Sequence, residues 1–340
     1  MSDRITFTRR SFMIAPLAIA ACNSGADIVK IIGETMGTTY TVVAVDHSRS
    51  VGEAAVKRET EAALALVNRQ MSNWDPASEI SRFNAGGTGA VAVSAELDEV
   101  MQAARLVNAA SAGRFDTTIG PLIELWGFGA RGTRQVPGDD QIAEALARSG
   151  HATLEVGPGA LRKTRPETLV YLAAIGKGYG ADQVGRALKS LGLTDYMVEI
   201  GGDLVTAGRN PDGLPWQIGI EKPASLSGGI MDVVGVSGYG LASSGDYRNY
   251  FERDGARFSH LIDPVTGRPV THRTASATVL ADNAMLADAW STAMLILGRE
   301  KGLEIAEAQG LAVRFIERDM AANELRFTTS ESAAFATLTS

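Results

Sequence analysis

The sequence predicts an α+β fold in one large domain. Strand-like and helix-like segments follow one another irregularly, without the βαβ period of a doubly wound sheet. No internal repeat and no clean linker divides the chain. The 340 residues are 45% hydrophobic and 21% charged, which leaves ample apolar material for a core. The 37 glycines point to many tight turns or close backbone approaches.

The elements read as follows. Residues 38–45 are β-branched and strand-like. Residues 52–71 carry a helical stripe of Ala55, Val56, Ala62, Ala63, Leu66 and Val67, and 94–111 form a second helix that stops at Gly113. The stretch 72–90 between them reads as loop. A third amphipathic helix spans 137–149, followed by short strands at 152–156, 160–163 and 168–172. Helix 180–191 sits behind Gly176 and Gly178. Strands follow at 196–200, 203–207, 215–221, 231–237 and 240–244, with a glycine-rich break at 227–229. Asp254-Gly255 is a hairpin dipeptide between 249–252 and 256–262. Strand 275–281 leads to an apolar helix at 283–297 that Gly298 ends; 299–309 is helical, and 311–316 and 324–328 are strands.

Residues 1–21 read as an export signal: a charged start, then an apolar run too short to span a bilayer. Arg9-Arg10-Ser11-Phe12-Met13 resembles a twin-arginine signal, and Ile19-Ala20-Ala21-Cys22 a lipobox with Cys22 as the lipidated residue. A general export signal with a chance arginine pair is the plainer alternative. Residues 22–32 read as a tether and 331–340 as a tail. The expected location is the periplasmic face of the cytoplasmic membrane, held by the lipid. Net charge is −7, and the signal carries +2, leaving −9 for the rest. That acidity argues against nucleic acid as a partner. The lone cysteine excludes an intramolecular disulfide and any zinc site with two Cys ligands.

Three segments carry chemistry. Asp288 is the one charge in helix 283–297, and Thr292 shares its face at i+4. A helix this apolar is expected to be buried, and a lone buried carboxylate must be paired or bind a cation. One carboxylate and one hydroxyl suit a hard cation such as Mg²⁺, which completes its shell with water and phosphates. Equally, backbone N–H groups could satisfy Asp288 while Thr292 bonds back to its carbonyl. Gly176-Lys177-Gly178-Tyr179-Gly180 places backbone amides and a lysine at a helix start, a pattern that holds phosphate. With Glu199 downstream, a dinucleotide-binding unit is the competing reading; a tight strand–helix turn is the bland one. His260, just before Asp263-Pro264, is a general base, a phosphate donor or a turn-stabilising side chain.

Taken together, the motifs resemble the ApbE family of FAD:protein FMN transferases. They are Gly33-Glu34-Thr35-Met36-Gly37-Thr38, Met71-Ser72-Asn73-Trp74 with Ser81-Arg82-Phe83-Asn84, and Gly113-Arg114-Phe115-Asp116 through Gly129. Gly176–Asp182, Ile200-Gly201-Gly202-Asp203, Ser244–Arg248, Ser259–Pro264 and Ala287–Thr292 follow in order. The resemblance implies a transferase domain over 33–330 that moves FMN from FAD onto a Thr or Ser hydroxyl of an acceptor protein, releasing AMP. Exported redox-pump subunits are the implied class of acceptor. It also implies Mg²⁺ on Asp288, Thr292 and the Ala174 carbonyl, and a FAD site lined by Met36, Trp74, Arg114, Phe115, Asp116, Lys177 and Ile262. His260 is placed near the reacting phosphate. Tyr171 stands where the family usually has an FAD-contacting Asp. A FAD pyrophosphatase and a non-catalytic FAD- or solute-binding lipoprotein are the rival functions.

Overall fold

The computed structural model describes residues 25–129, 132–224, 229–319 and 326–339; the export signal and Cys22 lie outside the described residues. The frame is an eight-stranded antiparallel sheet: β1 Asp27–Thr35, β2 Thr38–Asp46, β3 Asp195–Ile200, β4 Asp203–Ala207, β5 Gly240–Gly245, β6 Thr274–Ala281, β7 Ala312–Asp319 and β8 Arg326–Glu331. Spatial order equals chain order, so the sheet is a meander with helical insertions in its connections. This bears out α+β and removes the dinucleotide-binding alternative, which needs a parallel sheet. Among the described residues the one parallel contact is the bridge between Ile119 and Leu169.

One face of the sheet is covered by helices. These are α1 Glu53–Met71, α2 Ala95–Ala110, α3 Gly176–Ser190 and α4 Ala284–Gln309. The other face carries the hairpin of Trp216–Glu221 and Ile230–Val236, whose Trp216, Ile218 and Val234 pack with Leu204, Leu241, Leu280 and Ile316. Strand β6 is therefore buried on both faces, and its polar positions Thr274, Ser276 and Thr278 are small and buried along with the apolar ones. The part of α4 before Gly298 is apolar nearly all round because the helix lies between β5, β6, α2 and α3. Gly298, at φ 73°, breaks it into two helices, as the sequence predicts.

Two sharp turns aim the site. Met36 and Gly37 both have positive φ and close β1 onto β2 with a two-residue turn. Gly201 and Gly202 do the same between β3 and β4, and Asp203 follows directly. The hairpin at Asp254-Gly255 is also as expected, with strands Tyr250–Arg253 and Ala256–Ser259.

Four local expectations are corrected. Residues 27–32 are the first part of β1 and not tether, since Val29 and Ile31 point into the core. Residues 333–339 are helical and not a loose tail; Phe335 is fully buried under the Arg314 guanidinium, 4.6 Å from the ring centre. The loop 72–90 contains helix Glu79–Ala85, capped by Ser78 accepting from the Ser81 N–H. Residues 168–172 are extended without a strand partner beyond the single bridge; Asn84 and Asn73 side chains take over the backbone hydrogen bonds of Val170 and Leu172.

Candidate active site

The centre of the site is the start of α3 against the first turns of α4. Gly178 is buried and allows the closest approach: a Cβ there would overlap the Ala284 carbonyl and lie 2.9 Å from Asp288 Cβ. The Gly178 N–H donates to Asp288 Oδ2 at 3.1 Å. One turn along, Asp182 caps α4 by accepting from the Ala284 and Met285 N–H groups, both at 2.9 Å. The two helices are thus locked by backbone-to-carboxylate bonds in both places.

Asp288 is 3% exposed. Its charge partner comes from another helix: Lys177 Nζ stands 3.9 Å from Asp288 Oδ1 and hydrogen-bonds Asp203, which is itself buried. Burial raises the Asp288 carboxyl well above the usual carboxylate range, the facing Asp203 raises it further, and Lys177 opposes both. Burial alone would depress Lys177, but Asp203 and Asp288 hold it above its ordinary value and therefore protonated. Asp203 is a site residue that the sequence reading did not single out. Its signal is a lone acid after Gly201-Gly202, at the head of an otherwise apolar strand.

The Thr292 hydroxyl does not bond back to the Asp288 carbonyl. Ser291 Oγ donates there at 3.0 Å, while Thr292 Oγ1 lies 3.2 Å from Ser244 Oγ. Ser244, on β5, stands in a motif that the sequence reading noted, but its place beside Thr292 emerges only from the fold. Besides the Gly178 N–H and the Lys177 ammonium that Asp288 already faces, the side chains that could ligate an ion there offer oxygen: the Asp288 and Asp203 carboxylates and the Ser244 and Thr292 hydroxyls. That chemistry fits a hard cation such as Mg²⁺. Among the described residues no three His, Cys, Asp or Glu side chains form a metal cluster, so such an ion would depend on hydroxyl, backbone or ligand oxygens. Ala174 sits two residues before α3, partly buried.

Of the other predicted residues, Met36 stands directly against α3. The Met36 methyl lies 2.9 Å from where a Gly180 Cβ would stand, over the first turns of α3. Trp74 is 60% exposed and meets Tyr171 edge-on, centroids 6.5 Å apart. The Tyr171 hydroxyl donates to Glu124, and its N–H to the Thr117 carbonyl at 2.7 Å. Arg114 pairs with Asp263 at 3.4 Å, tying the 113–118 loop to the segment after His260. Asp116 accepts from the Thr118 N–H and hydroxyl; burial still pushes its carboxyl upward. The Phe115 and Ile262 side chains are buried in the core, so they position the neighbouring backbone and do not present a face to a ligand.

The His260 Nδ1 faces the Asn249 carbonyl at 3.0 Å. A carbonyl only accepts, so Nδ1 carries the proton and Nε2 keeps its lone pair. Burial holds the imidazole below its ordinary pKa, and the nearby Lys177 charge also opposes its protonation. The ring is a neutral base at neutral pH.

A profile of the ApbE family matches residues 36–315. The chain is 41% identical over 332 residues to a FAD:protein FMN transferase of Haemophilus influenzae, covering 95% of each. It is 35% identical over 331 residues to the Escherichia coli K12 protein of that name, covering 93% of each. Its fold matches the flavin transferase ApbE of Vibrio cholerae with TM-score 0.84 and 37% identity, over 92% of this chain and 99% of that one. The apo flavinyl transferase ApbE of Pseudomonas stutzeri matches with the same score and identity, over 92% and 97%. The motifs lie in order along the chain, and most of the chain aligns with those relatives: it belongs to the ApbE family.

Proposed function

We propose that this chain is a FAD:protein FMN transferase that joins FMN to a Thr or Ser hydroxyl of an acceptor protein and releases AMP. The observation that carries the reading is the convergence of Lys177, Asp203 and Asp288 on the glycine-rich start of α3. Backbone amides and a protonated lysine there suit a pyrophosphate, and the oxygen donors of Asp288, Thr292 and Ser244, with the Ala174 carbonyl as the family resemblance implies, suit Mg²⁺. When bound, Mg²⁺ supplies charge neutralisation at the pyrophosphate and orients it for in-line displacement. Lys177 adds a fixed positive charge, held in place by Asp203. His260 Nε2 accepts the proton of the attacking hydroxyl. The hydroxyl oxygen forms the new bond to the FMN-side phosphorus, and the bond to the AMP oxygen breaks. Trp74 and Met36 offer an exposed aromatic edge and a soft thioether to the flavin ring. Mass spectrometry of an acceptor protein incubated with FAD and Mg²⁺ tests the reading: a covalent FMN adduct supports it, and free FMN with AMP and no adduct gives the pyrophosphatase instead.

Trp74→Ala should weaken FAD binding by about 1–3 kcal/mol, the range for losing an aromatic stacking partner. Tryptophan fluorescence quenching by FAD measures it, and unchanged affinity would place the ring elsewhere.

The pH dependence follows from His260. Its folded pKa lies below the unfolded value of about 6.5, so the unfolded chain binds the proton more readily. Its contribution to stability is thus complete above pH about 6.5 and falls as pH drops below that. Transfer should stay level from pH 8 to about 6.5 and decline only under more acid conditions. His260→Gln should abolish the acid limb along with most of the rate. A limb that persists in the variant assigns it to another group.

The export reading makes Cys22 the lipid attachment site, which lies outside the described residues. Several acyl chains anchor stably where one does not. Wild type should fractionate with membranes and Cys22→Ala with the soluble periplasm; equal solubility of the two removes the anchor. Continued export after Arg9 and Arg10 are both changed to Lys removes the twin-arginine component alone.

A further inference from the structure

Arg134 has no role in the proposed chemistry, yet it is tied to the residue that supports His260. The hairpin before His260 pairs Tyr250–Arg253 with Ala256–Ser259, and Tyr250 lies opposite Ser259. One step beyond that ladder, the His260 N–H donates to the Asn249 carbonyl at 3.0 Å. The ring Nδ1 uses the same carbonyl, also at 3.0 Å. Both lone pairs of that oxygen are therefore taken by one residue. A tilt of the Asn249–Tyr250 peptide would disturb the imidazole together with the strand.

Arg134 holds that peptide. Its Nη2 donates to Asn249 Oδ1 at 2.9 Å and its Nη1 to the Tyr250 carbonyl at 3.2 Å. The two acceptors bracket the peptide whose carbonyl His260 uses. A planar guanidinium can bridge two such acceptors at once, whereas an ammonium acts as a point charge. The guanidinium also lies 5.8 Å from the Phe128 ring centre, and that ring meets the imidazole edge-on, with centroids 6.3 Å apart. Although Arg134 is exposed, its main chain is packed in place. Gly127, at φ 79°, leaves no room for a side chain: a Cβ there would lie 2.5 Å from the Arg134 nitrogen and the Thr133 carbonyl. The charges that act on the imidazole are Asp246, which favours its protonation, and Lys177 and Arg134, which oppose it.

We propose that Arg134 is a positioning residue for the transfer reaction: its guanidinium fixes the Asn249–Tyr250 peptide and thereby holds the His260 ring in the tautomer and orientation that leave Nε2 free for the acceptor hydroxyl. In a neutral imidazole the place of the proton is set by the hydrogen bonds of the two nitrogens. With the carbonyl fixed, Nδ1 keeps the proton and Nε2 its lone pair. With the peptide loose, some rings carry the proton on Nε2, and those cannot accept one from a hydroxyl at that atom. A base oriented by a third group is a recurring arrangement in covalent and acid–base catalysis. Arg134 acts only through Asn249 and Tyr250, so its loss should appear in turnover and not in flavin binding. The inference rests on the reading of His260 as the base of the transferase.

Arg134→Ala removes the bracket, and Arg134→Lys keeps the charge without the two-pronged geometry. Magnetic resonance of the full chain with ring-¹⁵N histidine reads the tautomer at about pH 8, above the range in which imidazole titrates. The chain has four histidines, and the His260 signals are those missing from His260→Gln. Wild type should show Nδ1 protonated and Nε2 bare. In both Arg134 variants the His260 signals should move toward the average of the two tautomers. Their kcat for flavin transfer should fall by roughly ten- to a hundredfold, the scale of a catalytic group displaced by about 1 Å. The KM for FAD should not change. Circular dichroism verifies that the variants are folded. His260 signals identical to wild type in Arg134→Ala overturn the proposal, and so does wild-type behaviour of Arg134→Lys, which would leave the charge alone as the cause. Shifted His260 signals with unchanged kcat confirm the bracket but overturn its role in transfer, because they remove His260 as the base.

Discussion

Asp288→Asn is expected to fold normally and to lose flavin transfer by orders of magnitude. Two effects of the buried site have to be separated. In the absence of a cation, Asp288 and Asp203 face one another behind Lys177, and burial plus this repulsion disfavour the ionised Asp288. Asn removes one of two like charges while keeping an oxygen for the Gly178 N–H. Stability of the metal-free variant should therefore equal or exceed that of wild type in a denaturant titration. Activity should respond in the opposite sense. If Asp288 holds Mg²⁺ at a pyrophosphate, losing its charge forfeits several kcal/mol of transition-state stabilisation, and each 1.4 kcal/mol is about tenfold in rate. Excess chelator should silence wild type, and added Mg²⁺ should restore it but not the variant. A well-folded Asp288→Asn with full activity would falsify the metal role. A variant that is inactive because it unfolds would make Asp288 a structural carboxylate, with Gly178 as its main partner.

Asp288 was legible in the sequence because a single charge in an apolar helical stretch has to be paired, hydrogen-bonded or bound to a cation. Its surroundings were not. The nearest turns of α4 offer no cation, and the lysine that faces it is supplied by α3, far away in the chain. Periodicity reports which face of an element is buried, not which distant element covers it. Asp203 illustrates the same limit: its two glycines were visible, but only the pairing of β3 with β4 shows that the turn delivers the carboxylate to Lys177. The strands of the sheet were readable where β-branched residues cluster. Residues 27–32 alternate just as well, yet they follow an export signal and so read as tether. The opposite error befell 168–172, whose composition suits a strand but whose backbone partners are the Asn73 and Asn84 side chains, a contact no local pattern announces.

The two glycines at the start of α3 should respond to substitution in opposite ways. Gly178→Ala puts a methyl into the Ala284 carbonyl and against Asp288 Cβ. Neither neighbour is the free end of a flexible chain; both belong to α4, which Asp182 pins by two hydrogen bonds. The helices must part, and overpacking of this kind costs about 1–3 kcal/mol. Alanine returns at most about 1 kcal/mol through its helix propensity, so the net effect is a loss. The chemical effect is larger than the thermodynamic one. Separation lengthens the bond from the Gly178 N–H to Asp288 and shifts the carboxylate relative to Lys177, and a displacement of about 1 Å at a catalytic centre costs on the order of a hundredfold in rate. Gly176 differs: although buried, it has no atom within 4 Å of where its Cβ would stand. That space is open at the mouth of the helix, where the proposed pyrophosphate would lie. Gly176→Ala should fold with equal or slightly greater stability, and its defect should appear as a raised KM for FAD with stability intact. Denaturant melts and FAD titrations on the two variants decide the matter. If Gly178→Ala is as stable and active as wild type, the contact between α3 and α4 is looser than these distances allow. If Gly176→Ala binds FAD normally, the pyrophosphate does not sit at the start of α3.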